Sequence, residues 1–444
     1  MSSLALVAAG LVVSTSQSPA YAAQTVSNIA YAPAQPAGSR GHLLDLYLPG
    51  GTARTPLAIW TSGSAWTSDD GKSGASAIAS AFNARGYAVA GVSVRSSSQA
   101  KFPAQVHDIK AAIRWLRANA DRYNLDPTRF AVLGDSSGGW EADMATLTGG
   151  VASLEGTLGT TGVSSTVQAG VSFFGPTDFL QMNAQRVDNT FDHDAASSPA
   201  SQIMGCAIQT CPEQVRLANP ITYVDRADPP MLLLHGTADQ IVPHGQSVLL
   251  YDALKAACVS TRFFSVPGAN HGTNDVMSPS RYGQQTVRTS TSCGETTSVG
   301  SPNPSWDTVI SWLDDALKAG GPNPTPTPTS PTPTPTTPTP TPTSNPGAGC
   351  TASVRITSSW PGGWVADVSV TAGSARIDGW TVSLTLPGGS SVTNLWNGVV
   401  TGTSGTVTVR NQTWNGHVDA GRSTTFGFQG AGSSPSAGAT CVPA

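Results

Sequence analysis

Between Pro322 and Pro346 the chain consists almost wholly of Pro, Thr and Ser. Proline fixes φ and gives up a backbone donor, so this tract builds neither helix nor sheet; it favours extended polyproline II and reads as a spacer. At ~3.1 Å per residue its extended reach is roughly 80 Å. The threonines are candidate O-glycosylation sites. The spacer divides 444 residues into two parts that must each bury their own core, and the hydrophobic period differs on its two sides.

Ahead of the spacer, short apolar runs alternate with helical ones. Leu57 to Thr61, Ala88 to Val94, Phe130 to Leu133, Ala169 to Phe174, Met231 to His235 and Phe263 to Val266 read as strands covered on both faces. Between them Val106, Ile109, Ile113 and Leu116 mark one helix face, and Leu250, Leu254 and Cys258 another. After a capping Ser305, Trp306, Ile310, Leu313 and Leu317 repeat at helical spacing. The pattern predicts a doubly wound α/β domain with a mostly parallel sheet over residues 27–319. Beyond a linker at 320–349 the period becomes two: Trp364, Ala366, Val368 and Val370, then Trp380, Val382, Leu384 and Leu386, then Phe426 and Phe428. Residues 350–444 therefore predict a separate all-β sandwich.

Leu4 to Val13 is an apolar run followed by the small-residue site Ala20-Tyr21-Ala22, as in an export signal over residues 1–22. No Lys or Arg precedes the run, which suggests a start upstream of the one given. A secreted, extracellular monomer is the expectation. Six cysteines fit an oxidising compartment. Pairing within each domain favours Cys206 with Cys211, Cys258 with Cys293 and Cys350 with Cys441. Their spacings suit zinc poorly, and no metal or cofactor is expected. Only 11% of residues are charged and the net charge is −4, so no basic stripe offers itself to nucleic acid or to a membrane.

Gly134-Asp135-Ser136-Ser137-Gly138 follows one predicted strand and precedes helix-compatible sequence, the setting of a nucleophile elbow. Asp239 follows the strand ending at His235, and His271 follows the strand ending at Val266. A serine hydroxyl is a weak nucleophile at its free pKa, so Ser136 needs a base; His271 is the candidate, with Asp239 to orient its ring. The developing oxyanion needs donors, one from the Ser137 N–H and a second from the loop after Leu57 to Thr61. Residues 178–222 form a long insertion expected to wall the acyl pocket, stapled by Cys206 and Cys211. Asp192-His193-Asp194 within it reads as a solvated turn rather than a metal site.

Leu44 to Pro49, Trp60 to Trp66, Phe102 to Leu116, Gly134 to Gly139 and Pro220 to Val224 together resemble secreted α/β-hydrolase esterases, the family that includes acetyl and feruloyl esterases. The resemblance covers most of residues 27–318 and implies the α/β-hydrolase fold. That family usually carries His-Gly-Gly-Gly-Trp in its oxyanion loop, where this chain has Ser62-Gly63-Ser64-Ala65-Trp66. Backbone donors survive a change of side chain, so Ser64 and Ala65 join Ser137 as oxyanion-hole candidates.

The C-terminal segment holds Trp360, Trp364, Trp380, Trp396 and Trp414. Trp364 and Trp380 fall on the strand alternation and are expected in the core. Trp360, Trp396 and Trp414 sit in turn-like contexts, where exposed rings can stack on sugars. The terminal cysteines, Gly379-Trp380 and the two Trp-Asn-Gly turns closely resemble family 2 carbohydrate-binding modules, and Gly379 implies a cellulose surface. The combined expectation is a serine esterase acting on acetylated xylan, with feruloylated xylan the close alternative. A general carboxylesterase or lipase comes next, and a serine peptidase or a non-catalytic cellulose-binding protein stands further off.

Overall fold

A computed structural model describes residues 21–318 and 349–443, apart from 361, 397, 412–414, 436 and 437. The apolar run Leu4 to Val13, which the sequence reading takes as part of an export signal, the spacer and Trp414 thus lie outside the described residues, as do the side chains of Trp360 and Trp396. By internal packing the chain separates into two units, 1–330 and 331–444.

In the first unit β1 (Gln24–Ala30), β2 (Leu43–Leu48), β3 (Thr55–Thr61), β4 (Ala88–Val92), β5 (Leu125–Asp135), β6 (Ala169–Phe173), β7 (Met231–Gly236), β8 (Thr261–Val266), β9 (Thr286–Thr291) and β10 (Gly294–Val299) form one sheet. Its order is β1-β2-β4-β3-β5-β6-β7-β8-β9-β10. The six strands from β4 to β8 in that order run parallel. They are the six apolar runs of the sequence, and they are apolar because both faces are covered. Along β3, Ala58 and Trp60 pack beneath α1 (Ala75–Ala84) and the C-terminal helix Trp306–Lys318. Leu57 and Ile59 point the other way, toward α2 (Ala104–Ala118) and α3 (Ser137–Leu147). Ser305 caps the C-terminal helix, its Oγ accepting the Thr308 N–H at 3.2 Å. This is an α/β-hydrolase fold.

The antiparallel strands β1, β9 and β10 are not legible as apolar runs. β1 and β10 are largely exposed, and β9 and β10 are rich in Thr and Ser. Cys258–Cys293 ties the turn between β9 and β10 to the segment entering β8, and Cys206–Cys211 closes a short loop within the insertion.

The second unit holds two antiparallel four-stranded sheets. One contains β11 (Cys350–Trp360), β12 (Gly363–Ala372), β14 (Ser391–Trp396) and β17 (Ser423–Ala431). The other contains β13 (Trp380–Thr385), β15 (Val399–Thr401), β16 (Thr406–Arg410) and β18 (Ala439–Pro443). Trp364 and Trp380 are buried between them, Trp380 stacked on Phe426 with ring centroids 5.2 Å apart. Cys350 of β11 is bonded to Cys441 of β18.

Glu141 of α3 is fully buried, and its carboxyl accepts the Thr61 hydroxyl at 2.6 Å. Burial pushes its pKa up from 4.5 to about 8, helped by the Asp108 and Asp135 charges and opposed by the Thr61 bond. The fold therefore favours the neutral acid. Its stabilisation is complete below pH 4.5 and is lost as pH rises to about 8. Thermal melts across this range should show wild type losing Tm relative to Glu141→Gln, with a constant difference on either side of the window.

Candidate active site

The site begins at a backbone corner. β5 ends at Asp135 and α3 starts at Ser137, leaving Ser136 with φ 55° and ψ −124°. A non-glycine residue at positive φ costs on the order of 1–3 kcal/mol and persists only where its surroundings fix it. Here the Ser136 N–H donates to the Phe173 carbonyl at 2.9 Å, and the Ser136 carbonyl accepts the Trp140 N–H at 3.0 Å. α3 approaches β3 so closely that a Cβ on Gly138 would stand 2.2 Å from the Thr61 carbonyl oxygen. Glycine is obligatory there. The turn lifts the hydroxyl off the carboxyl end of the sheet.

Two further loops leave the same end. After β7, Asp239 is fully buried; after β8, His271 remains partly exposed. His271 Nε2 lies 2.9 Å from Ser136 Oγ, and His271 Nδ1 lies 2.7 Å from Asp239 Oδ2. The other carboxylate oxygen, Oδ1, accepts the Ile241 and Val242 N–H groups, each at 2.9 Å. Burial alone would raise the Asp239 pKa. Hydrogen bonds from His235 and His271 outweigh it and hold the carboxyl well below the usual carboxylate range. Phe174 packs on the His271 ring, centroids 4.5 Å apart. The arrangement suits proton removal from Ser136 by His271, with an anionic partner for the imidazolium that forms.

The loop expected to supply oxyanion donors follows β3. Asp135 Oδ1 accepts the Gly63 N–H at 2.8 Å, and a Cβ on Gly63 would stand 2.4 Å from the Asp135 carbonyl oxygen. Ala65 and Trp66 take φ of 53° and 55°, the left-handed region; at Ala65 the resembled family's glycine would enter it freely. The Trp66 ring is buried edge-on against Trp140 and Phe179, which holds the strained turn. Of the three expected donors, Ser64 needs correction: its N–H is taken by Ser137 Oγ at 2.9 Å, because that hydroxyl turns under the loop. Ala65 and Ser137 line a cavity with Ser136, and their N–H groups have no partner among the described residues.

That cavity has a volume of about 100 Å³, with Trp66, Met182, Phe191, His193, Ile241 and Val242 among its walls. His193 departs from the solvated turn expected of it. It is 3% exposed and packs against Phe191 with tilted rings, centroids 4.8 Å apart, while Asp192 stays exposed, holding Asn183. Among the described residues no cluster of His, Cys, Asp or Glu is arranged to hold a metal. Sequence reasoning also missed His235, which contacts Asp239, although it stands four residues away in the same Leu-His-Gly-Thr-Ala-Asp segment.

Residues 44–254 match the BD-FAE family and residues 350–443 the cellulose binding domain. The chain therefore carries a BD-FAE esterase domain joined to a family 2 cellulose-binding module. Among curated proteins it is similar to esterase LipQ of Mycobacterium tuberculosis, with 31% identity over 258 residues, 56% of this chain and 58% of that protein. The second unit is similar to endoglucanase A of Thermobispora bispora, with 46% identity over 87 residues, 19% of each chain. The chain spans little more than half the length of the curated esterases it matches first. Among solved structures, a truncated carbohydrate esterase from gut microbiota is 35% identical, with a TM-score of 0.50 over 56% of this chain and 90% of that one. A bifunctional GH43-CE protein of Bacteroides eggerthii is 32% identical, with a TM-score of 0.55 over 67% of this chain and 35% of that one.

The close approach at Gly63 sets one expectation. Gly63→Ala must push the loop off Asp135, so hydrolysis of p-nitrophenyl acetate should fall about 100-fold in kcat, the scale of a lost oxyanion donor. Steady-state kinetics check it.

Proposed function

We propose that this protein is a secreted serine esterase that removes acetyl groups from xylan while its C-terminal module holds it on cellulose. The observation that carries the reading is the chain Ser136–His271–Asp239, linked at 2.9 and 2.7 Å and opening into a small, mostly apolar cavity. In the first half of the reaction His271 Nε2 takes the Ser136 proton as Oγ attacks the ester carbonyl. The oxyanion is received by the Ala65 and Ser137 N–H groups. His271 then protonates the departing sugar oxygen, leaving an acetyl group on Ser136. In the second half His271 deprotonates a water that attacks this ester, and acetate leaves as the proton returns to Ser136.

Acyl size favours acetate over ferulate. At about 100 Å³ the space is roughly two-thirds of a ~150 Å³ cavity that binds benzene, which suits a short acyl group such as acetyl better than a substituted phenylpropenoyl group. The cellulose-binding module supports a polysaccharide surface as the place of action, since tethering raises the local enzyme concentration without adding catalytic contacts. Export is supported by the leader-like N-terminus and by three disulfides, which persist in oxidising compartments.

Acetate and ferulate released from native plant cell wall should be scored together. Wild type should release acetate with little ferulate, and Ser136→Ala should release neither; predominant ferulate would overturn the acetyl assignment. Phe191→Ala, which opens the cavity wall, should raise kcat/KM on p-nitrophenyl butyrate relative to the acetate by about 10-fold, as expected for one or two methylenes newly accommodated. Deleting residues 350–444 should abolish sedimentation with cellulose and leave turnover of soluble acetate esters unchanged.

A further inference from the structure

Asp239 serves two imidazoles through one oxygen. Besides His271 Nδ1 at 2.7 Å, Oδ2 is approached by His235 Nε2 at 3.2 Å. His235 is wholly buried at the end of β7, and its ring is fixed on both sides. Nε2 also lies 2.9 Å from the Val242 carbonyl oxygen, and Nδ1 lies 2.8 Å from Ser247 Oγ. A carbonyl oxygen only accepts, so Nε2 must carry a proton. That proton bonds the Val242 carbonyl, and Asp239 Oδ2 stands 3.2 Å from the same nitrogen. On the far side Ser247 satisfies Nδ1 from the helix Gly245–Ala256.

We infer that His235 is a positioning residue for the esterase reaction, its Nε2–H holding Asp239 Oδ2 in the orientation that receives His271. The inference rests on the serine-esterase reading. Its physical basis is the rotation left to the Asp239 carboxylate. The Ile241 and Val242 amides grip Oδ1, and His235 Nε2–H, at 3.2 Å, is the other donor within reach of Oδ2 besides His271 among the described residues. Without it, Oδ2 is held only by the imidazole it is meant to orient. The charged and titratable groups facing His235 are Asp239 and His244. The His244 ring stands 5.5 Å away, centroid to centroid, and its Nε2 bonds to Ser265 Oγ. Burial, with His235 beside it, pushes the His244 pKa down to about 4, so it brings no positive charge to this cluster at neutral pH. Phe174 lies between the two histidines that share Asp239, packed on both rings.

Two amide replacements separate the bonds. Glutamine places its N–H₂ near the position of Nε2 and can keep the contact with Asp239; asparagine reaches only as far as Nδ1 and keeps Ser247 instead. His235→Asn should lose about 10- to 100-fold in kcat with KM within twofold, the scale of a misplaced catalytic group, and the acid limb of its kcat/KM profile should move. His235→Gln should restore most of kcat and the wild-type profile. Wild-type turnover in His235→Asn, or an equal loss in both variants with matched Tm, overturns the inference. Where the variants do not fold, ¹⁵N-resolved NMR of the wild-type histidines decides: the inference requires a proton on His235 Nε2, and a bare Nε2 overturns it. Ser136→Ala distinguishes the two levels. If it still turns over ester, the serine-esterase reading fails; if it is inert while His235→Asn is normal, only the role of His235 falls.

Discussion

The site depends on one strained residue. Ser136 holds a positive φ because three strands leave it no alternative: β5 delivers it, the β6 carbonyl of Phe173 takes its N–H, and α3 presses Gly138 against the β3 carbonyl of Thr61. The neighbouring Asp135 and Ser137 then reach across to the loop after β3, one through its carboxylate and the other through its hydroxyl. The Ser136 hydroxyl and the loop after β3 are thus fixed by a single corner, and neither can shift without the other. The Asp239 and His271 loops join the same end because β7 and β8 are parallel neighbours in this sheet. That is the usual placement of sites in open α/β sheets.

What could be read in the sequence was whatever depends on local pattern. The parallel strands announced themselves because burial on both faces makes them uniformly apolar, and Asp239 and His271 could be picked out because each follows such a run. Edge strands carry no such mark: β10 has five exposed positions out of six and reads as a polar loop. His193 looked like part of a polar turn because its burial is created by Phe191 and the insertion around it, which no local period reports. The Ser64 amide was misassigned for a similar reason. Whether it faces substrate or the Ser137 hydroxyl is decided by a side chain more than seventy residues away.

The insertion has a core of its own. Met182, Ala200, Ile203, Ile208 and Val215 pack with Trp66, Phe102 and Trp140 rather than with the main sheet. Trp66, Met182, Ala200 and Val242 of the cavity beside Ser136 therefore belong to the same cluster that holds the strained loop after β3. Pocket shape can change by substitution at the insertion's inner surface while Ser136, His271 and Asp239 stay in place, but large changes at Met182 or Phe179 would also loosen Trp66. Cavity shape and stability are coupled through that indole.

The bond between Cys350 and Cys441 has a mechanical meaning. Cys350 opens β11 in one sheet of the second unit, and Cys441 lies in β18 of the other. Tension arriving along the spacer meets this covalent staple at the first residue of the first strand. It is shared at once between both sheets, so β11 cannot be unzipped from β12 one rung at a time. A module built this way resists tearing as a block.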